Sequence, residues 1–288
     1  MNRSSKRTAG TSTGRTTRRS AREPAKQSAS RSAAVARARL TAKKLERLGA
    51  AALETLLNAI DANDPVTGAH VRRVARYALV LADEMDAEPH VRFTVERVAL
   101  FHDIGKIHEA LFDVIHDHRE LDAHERREIR THPARGATVL EPLAAFYPEL
   151  PRGVVAHHER WDGSGYPRGL KGKAIPLSAR VVAIADTFDA ITHSRRYRAG
   201  KSLEAGMKAI GDGRGTQFDP ELVDLFLAPP VMVRIRAEMR EASAVEKAPR
   251  TQRRTHHGSD MDAPDVSFRW RDTTPSQTPL DRVSRKRK

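Results

Sequence analysis

The side chains able to do chemistry in this chain come in short groups. His157 and His158 stand side by side and run into Glu159-Arg160-Trp161-Asp162-Gly163-Ser164-Gly165-Tyr166-Pro167. Phe101-His102-Asp103-Ile104-Gly105-Lys106 pairs an imidazole with a carboxylate at the end of an apolar stretch, and His132-Pro133 follows. Neutral imidazole is a common ligand for first-row transition metals, and an aspartate offers two oxygens with which to bridge two ions. Asp186 ends the apolar run Val181-Val182-Ala183-Ile184-Ala185. A carboxylate there is costly to bury unless it pairs or coordinates a metal. Asp189, one turn on, is a supporting or substrate-positioning candidate. Lys106, one turn from His102 and Asp103, sets a cation beside the same residues. Together these types offer a metal site built from nitrogen and oxygen. Each group alone has a plainer reading, since neighbouring histidines are more often surface or core residues and an isolated His-Asp pair is common.

The elements that must position these groups read as helices. The Gly-Ser-Gly-Tyr-Pro run cannot continue one, because glycine is entropically costly there and proline lacks the donor N–H. The histidine pair is therefore expected at the end of an element, with a turn carrying Tyr166 beside it. Upstream, Leu40, Leu45, Leu48, Leu53, Leu56, Leu57 and Ile60 recur at three- and four-residue spacing from about Ser32, and the pattern stops before Pro65. Thr67 is the expected cap of a second helix carrying Val71, Val74, Tyr77, Ala78 and Leu81 on one face. Further helices are expected over 91–101, 119–131, 139–146, 153–159, 177–191, 203–210 and 220–227, and a final amphipathic one over 231–245. The apolar stretch 181–184 reads as helix because Val181, Ile184, Phe188 and Ile191 keep a 3.6-residue period beyond strand length. The expected fold class is all-α, without internal repeats.

Charge is concentrated at the ends. Residues 1–48 hold 14 Lys/Arg against Glu23 and Glu46, and residues 229–288 hold 14 against eight acids, so of a formal net +14 the middle is left slightly acidic. Residues 1–31 and those from Ala248 onward lack the apolar side chains to offset ordering entropy and are expected to be disordered. Polyanion binding by these tails is the weaker alternative, since the first has no aromatic residues to stack on bases. The absence of Cys removes disulfides and thiolate metal sites and suits a reducing cytosol. No run of about 18 apolar residues suggests a membrane span, and no apolar segment follows the basic N-terminus as a secretory signal requires. A cytoplasmic protein of three parts is expected: a basic tail with the start of a leading helix (1–48), a core carrying the groups above (49–228), and a short helix with a second basic tail (229–288).

In order along the chain, Asp64-Pro-Val-Thr67-Gly-Ala-His70, His102-Asp103-Ile-Gly-Lys106, His132-Pro133, His157-His158 through Pro167, Ala185-Asp186-Thr-Phe-Asp189-Ala190 and Gln217-Phe218-Asp219-Pro220 closely resemble the HD-GYP domain. This is the subgroup of HD phosphohydrolases that opens cyclic di-GMP in bacterial signalling, and the resemblance covers roughly residues 55 to 228. It implies a helical bundle holding two or three iron or manganese ions, with His70, His102, Asp103, His132, His157, His158 and Asp186 as ligands. It further implies that a metal-bridged hydroxide attacks phosphorus to give linear pGpG, with further hydrolysis to GMP in some members. Lys106, Arg195 and Arg198 would contact phosphates, Tyr166 would stack on guanine or hydrogen-bond through its hydroxyl, and His102, Asp103, Lys106 and Asp189 would serve catalysis.

Two departures qualify the match. Members with a third metal carry Glu four residues before the histidine matching His70, where this chain has Val66. Two divalent ions, and pGpG rather than GMP, are therefore expected. The stretch 108–118 departs from the usual continuation after the His-Asp pair, so the shape of the access loop does not follow from the family. No receiver domain precedes the core, so no phosphorylation input is expected. The alternatives are a scaffold that docks diguanylate cyclases through the Gly-Tyr-Pro loop, a homodimer being compatible with either role, and an HD hydrolase of another nucleotide. The other eight histidines (His90, His108, His116, His118, His124, His193, His256 and His257) are expected at the surface.

Overall fold

The computed structural model describes residues 22–107, 122–194 and 200–247. Among these there is no strand, and the fold is all-α, with one isolated bridge between Arg214 and Phe218. The helices are α1 (Arg22–Asn63), α2 (Pro65–Glu84), α3 (Pro89–Phe101), α4 (Ala123–Ile129), α5 (His132–Leu140), α6 (Glu149–Ala156), α7 (Leu177–Thr192), α8 (Leu203–Asp212), α9 (Pro220–Phe226) and α10 (Pro229–Lys247). Among the described residues there are also three 3₁₀ turns: Ile104–Ile107 after α3, Glu141–Leu143 after α5 and Gly172–Ala174 before α7.

The chain divides between Ala51 and Ala52 into two units. In the first, α1 begins at Arg22, ten residues before its apolar period does. Ala, Arg and Lys are good helix formers without a packing partner, and Pro24 falls in the first turn, where its missing N–H is not needed. Val35, Leu40, Leu45 and Leu48 are exposed there, so only the later part of the expected stripe, Leu53, Leu57 and Ile60, is buried. Residues 22–31, expected to be disordered, are helical in α1; the rest of the disorder expected for 1–31, and that expected from Ala248 onward, lies outside the described residues.

In the second unit α2 is the central helix. It buries the predicted face, Val71, Val74, Tyr77, Ala78 and Leu81, and packs on α3, α7, α9 and α10. Its cap is Asp64 rather than Thr67. Asp64 Oδ1 accepts from Val66 N at 3.0 Å, while the Thr67 hydroxyl donates to Asp64 Oδ2 at 2.8 Å. Pro65 at the first helical position holds Asp64 extended, which puts the cap one step earlier. The 177–192 stretch is a helix, as its period predicts, and lays Val181, Val182, Ile184 and Phe188 in the core.

Three boundaries differ from expectation for local reasons. The 139–146 helix is displaced towards the N-terminus: Pro133 opens α5, and Pro142 lacks the N–H that would continue it past Leu140. The 153–159 helix runs instead from Glu149 after Pro148 and stops at His157. The 119–131 helix is set by a capping box between Asp122 and Glu125, with residues 119–121 outside the described set. A larger correction concerns α10. Val231 and Ile235 are fully buried and the helix packs on α2, so the core does not end at residue 228.

Candidate metal centre

The ends of several helices meet at one buried place. His102 follows the last residue of α3, His132 opens α5 with Arg130 and Thr131 between it and α4, and His157 follows the last residue of α6. Each imidazole bonds through Nδ1 to the carbonyl three residues earlier: His102 to Ala99 at 2.8 Å, His132 to Ile129 at 2.6 Å, His157 to Val154 at 2.6 Å. Those carbonyls belong to final helical turns, which have no helical donor of their own. A carbonyl only accepts, so each Nδ1 is the protonated nitrogen and each Nε2 presents a lone pair inward. Three helix C-termini, the negative ends of their dipoles, therefore face this point.

All seven expected ligands come together. His132, His157 and His158 form one group, and His70, His102 and Asp186 a second; within each the candidate ligand atoms lie within 4.8 Å of one another. Asp103 stands between the groups. Its Oδ1 is 3.3 Å from His132 Nε2 and 4.0 Å from His157 Nε2. Its Oδ2 is 3.4 Å from His102 Nε2 and 3.8 Å from His70 Nε2. Asp186 Oδ1 lies 3.3 Å from His70 Nε2 and 3.9 Å from His102 Nε2.

This donor set fits a cation. His102 Nε2 and Asp103 Oδ1 are buried without a hydrogen-bond partner, an arrangement that is otherwise destabilising. His132 Nε2 and His157 Nε2 are 3.1 Å apart with both Nδ1 atoms already donating, so two lone pairs face each other. Protonation is not the remedy at His157: burial, then the charges of His158, His102 and His132, hold its pKa well below the ordinary value. Burial followed by His132 lowers His158 to about 4. Burial opposes the charge of Asp103 as well, but Lys106 and His102 outweigh it and keep this carboxylate ionised. For His70 burial acts downward, and hydrogen bonds to Asp186 and Asp189 override it, raising the imidazole to about 9.

Around these donors lies a supporting layer only partly legible in the sequence. Asp189 is buried behind His70, not beside the other donors. Its Oδ2 accepts from His70 Nδ1 at 2.7 Å and Arg73 Nη2 at 3.0 Å, its Oδ1 from Arg73 Nε at 2.8 Å. His193 Nδ1 is a further 3.0 Å from Oδ1. With both oxygens so occupied Asp189 faces His70, Arg73 and His193 rather than the other donors. His193, expected at the surface, is only 12% exposed for the same reason. His90 and His124 are exposed as expected; the other five lie outside the described residues. Arg73 carried no sequence signal beyond its place three residues after His70. Lys106 is committed to Asp103 Oδ2 at 2.7 Å. Arg195 and Arg198 lie outside the described residues.

The glycine-rich loop is held by its backbone. Tyr166 N donates to His158 O, Trp161 N to Gln217 O and Asp162 N to Thr216 O, while buried Glu159 accepts from Arg168 N at 2.7 Å and Leu170 N at 3.0 Å. A Cβ at Gly165 would lie 2.3 Å from Arg160 N, and one at Gly105 would lie 2.1 Å from the His132 carbonyl; both sites need glycine. Asp219 of the Gln-Phe-Asp-Pro motif caps α9 and binds Arg180 Nη1 at 2.5 Å. Tyr166 turns inward: its ring stacks on His158 with centroids 4.9 Å apart, and Arg130 sits 4.4 Å over it. The ring expected to stack on guanine is thus engaged by protein. Burial, less the effect of Arg130, pushes its hydroxyl up to about 12. A cavity of about 220 Å³ opens here, lined by Arg130, His158, Tyr166, Asp186, Thr187 and Gln217 among others.

An all-α domain gathering imidazoles and carboxylates in this way defines a class, helical proteins with a buried His/Asp centre suited to metal. The HD domain family model matches residues 54–222, more than half of the chain, and the chain belongs to that family. It is 35% identical to a probable cyclic di-GMP phosphodiesterase of Vibrio cholerae, over 64% of this chain and 45% of that protein. It is 36% identical to the 3'3'-cGAMP-specific phosphodiesterase 2 of the same organism, over 60% of this chain and 33% of that one. To the cyclic di-GMP phosphodiesterase response regulator RpfG of Xanthomonas campestris it is 37% identical, over 61% and 46%. The chain thus spans less than half the length of these relatives. No helix among the described residues is long and apolar enough to cross a membrane.

Proposed function

We propose that the protein is a metal-dependent phosphodiesterase that hydrolyses cyclic di-GMP to pGpG. The observation that carries this reading is the position of Asp103, whose two oxygens face separate donor groups, so that the residues would hold two ions. An all-nitrogen-and-oxygen donor set suits iron or manganese. Two such ions, when bound, supply Lewis acidity to phosphate oxygens and lower the pKa of a water between them.

The rest is the work of this chain's own side chains. Carbonyls at three helix ends hold His102, His132 and His157 with Nε2 inward, and Asp189 does the same for His70. Lys106 balances part of the charge of Asp103. The Gly-Tyr-Pro loop closes one side of the cavity, so that a phosphate would enter past Asp186, Thr187 and Gln217. Val66, exposed on the first turn of α2, offers no carboxylate, which supports two ions and pGpG as the end product. The names of the relatives support the substrate class, and the 3'3'-cGAMP-specific relative makes hybrid cyclic dinucleotides the second reading. A scaffold role gains no support from the loop, because Tyr166 faces His158.

The test is turnover by protein purified anaerobically, loaded with iron or manganese, and followed by chromatography with cyclic di-GMP, 3'3'-cGAMP and cyclic di-AMP as substrates. Cyclic di-GMP converted to pGpG is the expected outcome. Metal bound at both sites without turnover of any of the three ends the enzymatic reading.

A further inference from the structure

Arg130 follows α4 and stands exposed at the rim of the cavity. Its guanidinium lies over the Tyr166 ring at 4.4 Å, and that ring lies on the imidazole of His158 at 4.9 Å, tilted by 24°. The two contacts make a column that leads from a candidate metal ligand out to the rim. A guanidinium stacked on an aromatic face keeps its plane while its N–H fork remains free to donate edgeways.

Among the described residues, three other cations near the centre are committed to groups of the protein. Lys106 is held by Asp103, and Arg73 by Asp189. Arg160 donates to the Ser164 hydroxyl at 2.9 Å and lies 3.5 Å from Asp162 Oδ2. Arg130 makes no ion pair with a carboxylate of the described residues. Size points the same way. The cavity, about 220 Å³, is below the roughly 300–1,000 Å³ of typical small-molecule sites. A dinucleotide seated on the His/Asp groups therefore extends to the rim.

Resting on the phosphodiesterase reading above, we propose that Arg130 binds the second, uncleaved phosphate of a cyclic dinucleotide. The contact is a pair of charge-assisted hydrogen bonds from its N–H fork to two phosphate oxygens. Arg130 then sets the preference of the enzyme for two-phosphate rings over simple phosphodiesters. No bond is made or broken at Arg130; it holds the far side of the ring while one phosphate sits on the metal ligands.

The experiment compares wild type, Arg130→Ala and Arg130→Lys, all metal-loaded, on cyclic di-GMP and on bis(p-nitrophenyl) phosphate, which has a single phosphate. The ratio of kcat/KM for cyclic di-GMP to that for bis(p-nitrophenyl) phosphate should fall about tenfold or more in Arg130→Ala. Lysine should restore part of it, as a cation without the fork. Calorimetric Kd for a phosphorothioate analogue of cyclic di-GMP should weaken by a similar factor, with metal content and melting temperature as folding controls. A ratio that stays within about twofold while cyclic di-GMP is cleaved overturns the role of Arg130 and spares the activity. Cleavage of another cyclic dinucleotide in place of cyclic di-GMP, with the ratio falling for that substrate, removes the guanine assignment and keeps Arg130. Wild type that cleaves only bis(p-nitrophenyl) phosphate overturns both.

Discussion

His132 Nε2 stands 3.1 Å from His157 Nε2, and each ring already donates its Nδ1–H to a backbone carbonyl. Two lone pairs at that distance repel, and burial opposes a proton on His157. The native fold therefore contains a contact that a shared cation relieves.

Metal removal should lower stability for this reason. A ligand at about 1,000 times its Kd stabilises the folded state by about 4 kcal/mol. For a domain of this size that corresponds to a fall of about 10 °C in melting temperature on chelation. Scanning calorimetry of chelated and reconstituted protein checks it; equal melting temperatures would mean that the donors hold no ion in the folded state.

Separate donor groups predict separate losses. Replacing His132 with Ala removes a donor from one group only, and replacing His70 removes one from the other. Each variant should retain about one of two ions by elemental analysis. Asp103→Asn should weaken both sites, because each oxygen serves a different group. An Asp103→Asn protein with a full metal complement would contradict the bridging position.

Asp189→Asn keeps the size of the side chain but weakens its hold on His70 Nδ1 and removes the negative charge that faces Arg73 there. Losing such a supporting carboxylate reduces metal affinity by about 10- to 100-fold in comparable sites. Metal titration should find that loss in the group containing His70 and not in the His132 group. A loss shared equally by both groups would point to general damage.

The pH dependence of the metal-free protein has two limbs. His158 has its folded pKa lowered to about 4, so the unfolded chain binds more protons between about pH 4 and 6.5, and stability falls as pH falls through that window. His157 is lowered too and adds to this limb. His70 is raised to about 9, so its contribution is complete below about pH 6.5 and is lost as pH rises through 9. Stability should peak near neutrality, with limiting slopes of about 1.4 kcal/mol per pH unit per histidine. Urea midpoints from pH 4 to 9 measure this, and a monotonic profile would refute it.

Gly165→Ala tests the loop. The added methyl group would meet Arg160 N at 2.3 Å and Glu159 Cα at 2.6 Å, both backbone atoms that cannot turn aside. A loss of about 1–3 kcal/mol is expected, with Tyr166 displaced from His158 and KM for the cyclic dinucleotide raised. Near-wild-type KM with reduced stability would show that the position of the loop matters only for folding.

The residue types carried most of the site in the sequence, because ligand chemistry belongs to individual side chains: imidazoles and carboxylates at helix ends, with a turn beside one pair. The supporting layer was less legible. Arg73 and His193 serve Asp189 through contacts that link residues 116 positions apart in the first case and one helical turn apart in the second. No periodic pattern announces either. Helix boundaries followed the proline that was read as a start, Pro220, and missed where Pro65, Pro133, Pro142 and Pro148 decided the register.

The sequence by itself determined the helical class, the order of the motifs and the side chains able to bind metal, since period and donor chemistry are local properties. Packing decided the rest. Only the placement of α2 against α7 brings His70 to Asp186 and Asp189, and only the meeting of helix ends divides seven donors into two groups with Asp103 between them. The same packing turned Tyr166 inward and left Arg130 at the rim. Distances of a few ångströms between residues far apart in sequence depend on how helices are stacked, and a one-dimensional pattern carries no such distance.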